Sequence, residues 1–184
     1  MRISKRSSRI GGIVVAATLA LTPAAANAAS GGISPDGTST DSGTQTVSGS
    51  KAKLVKGRAI APESAPRRVK RVIRAANEIR NKPYKWGGGH GSWNDSGYDC
   101  SGAASYALHG GGLLKAPIDS SGMARYGNKG KGKWISVYGA SGHGYIVVAG
   151  LRFDTAMTKG DGPSWSRSLQ STPESYRVRH PKGL

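Results

Sequence analysis

The sequence has little cysteine, little acidic charge and no apolar run long enough to cross a membrane. Cys100 is the one cysteine among 184 residues, so no disulfide can form within the chain. The uncharged, mostly apolar run from Gly11 to Leu21 is about 11 residues long, short of the roughly 20 that a spanning helix needs. Ten acidic residues oppose 27 Lys and Arg, which gives a formal net charge of +17. The single cysteine excludes a domain held together by internal disulfides, and the short apolar run argues against a membrane anchor.

The first 28 residues have the pattern of an export signal. A basic start precedes the apolar run, and small residues follow it at Ala26 and Ala28, the two positions that a signal peptidase reads. We therefore expect residues 1–28 to be a signal peptide and the mature chain to begin at Ala29. An exported protein meets an oxidising compartment, where cysteines usually pair, so an unpaired thiol is a candidate nucleophile.

Positive charge is concentrated early in the mature chain. The signal carries four of the positive charges and none of the negative ones, which leaves +13. Between Lys51 and Lys82, eleven Lys and Arg face only Glu63 and Glu78. Such charge favours a polyanionic partner, and export makes anionic cell-wall polymers or anionic membrane surfaces better candidates than nucleic acid. Solubility alone is the simpler explanation.

Composition divides the mature chain in two. Residues 29–50 are rich in Gly, Ser and Thr and lack aromatic side chains, so they bury too little apolar surface to offset chain entropy. We expect residues 29–61 to be a disordered Gly/Ser/Thr-rich and basic linker. Residues 62–184 are enough for one domain with a single core.

Two helices are predicted at the start of this domain. Apolar residues recur at spacings of three and four over residues 67–81, which predicts an amphipathic helix that Pro83 ends. A second helix begins at Cys100, with Asp99 as its N-cap, and stops at the glycines 110–112. The thiol then lies at the head of the apolar stripe of this helix.

The second half of the domain has the pattern of a β-sheet. Residues 133–138, 145–148 and 151–155 are predicted strands, and the last two form a hairpin. A two-residue loop at Ala149 and Gly150 would place His143, Tyr145 and Asp154 on one face. A three-residue loop would turn Asp154 to the other face.

A thiol, an imidazole and a carboxylate in this arrangement fit nucleophilic catalysis. The free amides at a helix start favour the thiolate, and an imidazole can hold the proton and return it to a leaving amine. We assign these roles to Cys100 and His143, and we assign to Asp154 the role of orienting the ring. The simpler alternatives are a buried cysteine that only fills space and a surface pair between Asp154 and Arg152.

The other histidines are weaker candidates for the base. His109 follows Cys100 by nine residues, which places it on the opposite side of the same helix, and His180 lies in a basic tail. His90, in the loop before the cysteine, is the competing candidate. One cysteine and scattered histidines lack metal-ligand spacing, so we expect no zinc site and no cofactor.

Three motifs occur in order: PYKWGG at residues 83–88, YDCSG at 98–102 and GHGY at 142–145. Together they resemble the NlpC-type papain-like cell-wall cysteine peptidases, and the similarity covers roughly residues 69 to 156. The chain departs from the family pattern in two places. Asp154 stands where the family often has a histidine, and GKWI at residues 132–135 replaces the usual Gly-Asp-Leu segment.

The resemblance implies an α+β, papain-like fold in which N-terminal helices, with the nucleophile at a helix start, pack on a small antiparallel sheet. It implies hydrolysis of amide bonds in peptidoglycan stem peptides, commonly between D-glutamate and a diamino acid. Cys100 is then the nucleophile and His143 the base, and we expect Tyr84, Trp86 and Ser101 to bind substrate. We expect a secreted, cell-wall-associated monomer with no transmembrane span in the mature chain and no nucleic-acid partner.

Two rival functions remain at the sequence level. A wall-binding module could keep this fold and hydrolyse nothing. A basic surface or nucleic-acid-binding protein would not depend on Cys100 or His143, and export together with the lack of interleaved aromatic residues in the basic segment argues against it.

Overall fold

The computed structural model describes residues 38–41, 44–157, 161–169 and 175–184. The chain divides into two units, residues 1–30 and 31–184. The first unit, and with it the signal peptide expected over residues 1–28, lies outside the described residues. The described part combines helices with two sheets, which confirms the mixed α+β class.

In the described part of the chain, four short strands precede the first helix, in the segment for which we expected a disordered linker. They are β1 (Thr38–Asp41), β2 (Thr44–Val47), β3 (Lys53–Val55) and β4 (Arg58–Pro62), in the order β1-β2-β4-β3. The linker prediction is therefore wrong over residues 44–61. Composition does not predict these strands, because the segment is polar overall. Val47 and small apolar residues of β4 are nevertheless buried and contribute to the core.

Both predicted helices are present. Helix α1 spans Arg67–Ile79, and its predicted apolar face is buried at Val69, Val72, Ile73, Ala76 and Ile79. Helix α2 spans Cys100–Gly110 and buries its own stripe, as predicted, at Ala103, Ala104, Ala107 and Leu108. The amide of Gly102 donates to Oδ1 of Asp99 at 2.7 Å, so Asp99 is the N-cap. Gly112, in the left-handed region at φ +69°, lets the chain leave α2.

A six-stranded antiparallel sheet follows a short helix, α3 (Ser120–Met123). Its strand order is β5-β10-β6-β7-β8-β9. The strands are β5 (Asn128–Lys129), β6 (Ile135–Ala140), β7 (His143–Val148), β8 (Leu151–Asp154), β9 (Ser164–Ser166) and β10 (Arg177–His180). One face joins α1 and α2 in the core through Ile135, Val137, Ile146, Val148, Leu151 and Phe153.

The β7–β8 hairpin has the two-residue turn, at Ala149 and Gly150. Both turn residues have positive φ, and Val148 pairs with Leu151. Of the two loop lengths considered, this is the one that places Asp154 on the face of His143. Among the residues that the structure describes, no helix has the length and apolar character needed to cross a membrane.

Candidate active site

The segment before Cys100 is held by backbone pairing to the aromatic and glycine loop, residues 83–90. Tyr84 and Tyr98 form a β-bridge, in which the amide of Lys85 donates to the carbonyl of Tyr98 at 3.2 Å. The amide of Asp99 donates to the carbonyl of Gly88 at 3.2 Å. The motifs PYKWGG and YDCSG are thus hydrogen-bonded to each other through their backbones, and this pairing fixes the start of α2.

The glycine that ends the cysteine motif is required by close packing. A Cβ on Gly102 would lie 2.0 Å from the carbonyl oxygen of Gly88. Any side chain there would push the loop away from the helix start, because the obstacle is backbone. The loop that carries Tyr84 and Trp86 is therefore seated directly on the first turn of α2.

Cys100 is the first residue of α2, has a free thiol and is partly exposed. Its position at the helix start is the one predicted from the Asp99 cap. The thiol of Cys100 and the imidazole of His143 are direct neighbours. The interaction with Cys100, after that with Asp154, raises the pKa of His143.

His143, the first residue of β7, lies between this thiol and a carboxylate. Its Nε2 is 3.0 Å from Oδ1 of Asp154. The N–H direction is off the line to that oxygen, so the contact is an ion pair more than a regular hydrogen bond. The contact with Asp154, followed by that with Cys100, raises the pKa of His143 to about 9 against the opposing effect of burial. The ring is consequently an imidazolium at neutral pH.

Asp154 is almost fully buried, at 1% exposure, and serves two cations. Burial acts to raise its pKa, but His143 and Arg152 together lower it, so the carboxylate stays ionised. Nε of Arg152 donates to Oδ2 at 2.9 Å, and a second, shorter contact runs from its Nη2 to the same oxygen. The pairing with Arg152 that we considered as an alternative is present, but it is buried and coexists with the His143 contact.

Arg152 is itself fixed by an aromatic ring. Its guanidinium carbon lies 3.7 Å from the centre of the Tyr145 ring, and Tyr145 stacks on Tyr138 at 4.5 Å between ring centres. This stack holds Arg152, and through it the side chain of Asp154, in one place.

An open cleft of about 290 Å³ lies in front of the thiol. The predicted substrate-binding residues Tyr84, Trp86 and Ser101 all line it, together with His90, Asp119 and Ser120. Burial, then the negative charges of Cys100 and Asp99, raise the pKa of Tyr84. Trp86 is 85% exposed, an unusual position for an indole with nothing to bind.

The competing histidine, His90, belongs to a different cluster on the cleft wall. Its Nε2 lies 3.1 Å from Oδ1 of Asp99 and 3.2 Å from Oγ of Ser101. Ser101 in turn donates to Oδ1 of Asp99 at 3.1 Å. His90 thus contacts Asp99, the N-cap of α2, whereas His143 contacts a different carboxylate, that of Asp154.

The other two histidines lie in separate surroundings. His109 stacks on Trp93 at 4.0 Å between ring centres. Nδ1 of His180 is 3.0 Å from the carbonyl oxygen of Gly130.

Sequence reasoning missed Tyr176, which lies beside His143. Its ring centre is 6.5 Å from that of His143 and 5.5 Å from that of Tyr145. Burial, then the neighbouring Tyr145 and Asp154, raise the pKa of Tyr176. No motif surrounds this tyrosine, and its place next to His143 depends on the docking of β10 beside β6, which the sequence does not reveal.

No protein-family model matches the sequence, and a search of curated proteins finds no match. Comparison with solved structures finds the peptidoglycan hydrolase RipB from Mycobacterium tuberculosis, 25% identical, with a TM-score of 0.46 over 63% of this chain and 68% of that one. An NlpC/P60 family protein from Bacillus cereus is 19% identical, with a TM-score of 0.44 over 61% of this chain and 39% of its own. RipD from Mycobacterium tuberculosis is 22% identical, with a TM-score of 0.46 over 63% of this chain and 98% of its own. It is described as a non-catalytic NlpC/p60 domain protein adapted to a peptidoglycan-binding function.

The chain resembles NlpC/P60 family proteins. These are the proteins that the three motifs resemble, and the α+β class is seen in the helices and sheets of this chain.

Proposed function

We propose that this chain is an exported cysteine peptidase that hydrolyses amide bonds in peptidoglycan stem peptides. Cys100 is the nucleophile, His143 the acid and base, and Asp154 the residue that orients the ring. The observation that carries the proposal is the position of His143, with its Nε2 3.0 Å from Asp154 and its ring in contact with Cys100. The bond between D-glutamate and a diamino acid follows from the motif resemblance alone.

The reaction divides amide hydrolysis into two steps. Sγ of Cys100 attacks the carbonyl carbon while its proton resides on His143, and the amide oxygen takes the negative charge. Collapse of this adduct breaks the C–N bond, the imidazolium gives its proton to the leaving amine, and a thioester remains on Cys100. Water then attacks the thioester as His143 accepts its proton, which releases the carboxylic acid and restores the thiol.

The cleft supports this reading through the residues around the thiol. Trp86 offers an exposed flat surface for the substrate, and Tyr84 lines the same cleft as Cys100. Ser101 lines the cleft, but its hydroxyl is engaged with Asp99, so it holds the helix start as well as facing substrate. Secretion, attachment to the wall and contact of the basic residues 51–82 with anionic wall polymers complete the proposal.

A wall-binding module without activity is the second candidate, and one observation favours it. Arg152 donates to Oδ2 of Asp154, and the contact of His143 with Oδ1 of Asp154 is poorly aligned. In such a protein the cleft would bind a stem peptide and the thiol would gain nothing from His143.

The chemical test is the rate at which iodoacetamide alkylates Cys100 at neutral pH. We expect His143→Gln to slow alkylation at least about tenfold, because the imidazole no longer takes the proton. His90→Gln is the matched control, since His90 also lies on the cleft but pairs with Asp99. Its rate should stay near that of the wild type. Equal rates in wild type and His143→Gln, or a loss confined to His90→Gln, would reject the assigned pair.

A further inference from the structure

We propose that a basic groove beside the catalytic cleft binds an oxyanion of the wall polymer, a carboxylate or a phosphodiester. The groove encloses about 590 Å³, and its charged lining consists of Arg125, Lys129, Arg177 and Arg179. The inference deepens the proposed function and rests on it for the identity of the polymer. The motif analysis assigned no role to this surface.

The groove concentrates like charges where a sheet would otherwise avoid them. Lys129 and Arg179 are directly opposite each other in the β5–β10 pair, and cross-strand pairs of like charge destabilise a sheet. Arg177 lies two residues before Arg179 and therefore projects from the same face of β10. A bound oxyanion removes this repulsion, whereas the empty groove retains it.

No carboxylate in the described ranges pairs with these four cations, because the ion pairs found there all lie elsewhere. The guanidinium of Arg179 instead donates to backbone carbonyls: Nε to Tyr126 at 2.8 Å, and Nη2 to Arg125 at 3.2 Å and to Gly127 at 3.1 Å. Neutral carbonyls fix the position of the group but leave its charge available. Arg179 is thus a preorganised cation, and the exposed Arg125, Lys129 and Arg177 surround it.

The groove and the cleft have neighbouring walls at two places. Tyr176 lines the groove, and its ring meets that of His143 edge-on at 6.5 Å between centres. On the other side, α3 separates the two spaces, since Ser120 lines the cleft and Arg125, just past the helix, lines the groove. A polymer whose amide lies at Cys100 can therefore continue past Tyr176 into the groove.

The test measures binding with hydrolysis switched off by Cys100→Ala. In that background, Arg125→Gln, Lys129→Gln and Arg177→Gln are combined, while Arg179 is kept because it holds the backbone. The probes are a stem peptide with free carboxylates, the same peptide with its carboxylates amidated, and a soluble glycerol phosphodiester polymer. The charge-matched control combines Lys115→Gln, Lys131→Gln and Lys182→Gln, exposed lysines that do not line the groove. Thermal unfolding checks that both triple variants fold.

We expect the groove variant to bind at least one anionic probe about tenfold more weakly at low salt, and the control to bind like the parent. A loss confined to the free-carboxylate peptide assigns the subsite to the stem peptide, and a loss confined to the phosphodiester polymer assigns it to phosphate. Unchanged binding, or an equal loss in the control, overturns the inference. Because binding is read without bond cleavage, this result is independent of whether the chain hydrolyses anything.

Discussion

At the scale of single residues, the chemistry of the site depends on what His143 touches. Its contacts with Asp154 and Cys100 act in the same direction and overcome the effect of burial. Asp154 can orient the ring while ionised because Arg152 also stabilises its charge inside the protein. In the proposed reaction, the pair of His143 and Asp154 therefore supplies the proton that the leaving amine takes up.

The titration of His143 tests this arrangement. By NMR, its ring should titrate near pH 9 in the wild type and return toward the ordinary value of about 6.5 in Asp154→Asn. Because the folded-state pKa is raised, the stability that protonated His143 contributes is fully present below about pH 6.5 and is lost as the pH rises through about 9. Titration of the wild-type ring near 6.5 would contradict the assigned contacts.

The sequence predicted some of these residues better than others. Cys100 and His143 follow from motifs and local order, a cap before a helix and a glycine pair before a strand. Asp154 depended on the length of one turn, and positive φ at Ala149, a non-glycine residue, was not predictable from composition. Tyr176 gave no local signal at all.

At the scale of elements, one side chain explains why β4 is ordered. Asn77 on α1 acts as a strand partner for Ala59: its Nδ2 donates to the Ala59 carbonyl at 2.8 Å, and its Oδ1 accepts from the Ala59 amide at 3.0 Å. The same Oδ1 accepts from Nε1 of Trp165 at 3.0 Å. Reading the sequence one segment at a time cannot find this, because the partner of residue 59 is on a helix 18 positions later.

Asn77→Ala should therefore destabilise the protein by about 2–4 kcal/mol, since it leaves the backbone groups of Ala59 and the indole N–H of Trp165 buried without partners. Urea unfolding measures the loss, and hydrogen exchange should show the amides of β4 exposed first. Asn81→Ala, at an exposed position just past α1, is the control and should change stability little. Equal stability of the two variants would mean that β4 is held by other contacts.

At the scale of the whole molecule, the net positive charge was readable from composition, but its arrangement was not. The sequence pointed to residues 51–82, the densest basic segment. The groove instead combines Arg125, Lys129 and strand β10, which meet only when the C-terminal strand docks between β5 and β6. A local sequence pattern cannot predict long-range strand pairing of this kind.

The most direct measurement of the central claim is digestion of purified peptidoglycan sacculi, followed by mass analysis of the released fragments. We expect the wild-type mature chain to release new amino groups and stem-peptide fragments cut at one amide bond. Cys100→Ala should bind the same sacculi and release none. If the wild type releases nothing while binding as well as Cys100→Ala, or if the two release the same fragments, the assignment of Cys100 as the nucleophile of a wall peptidase is contradicted.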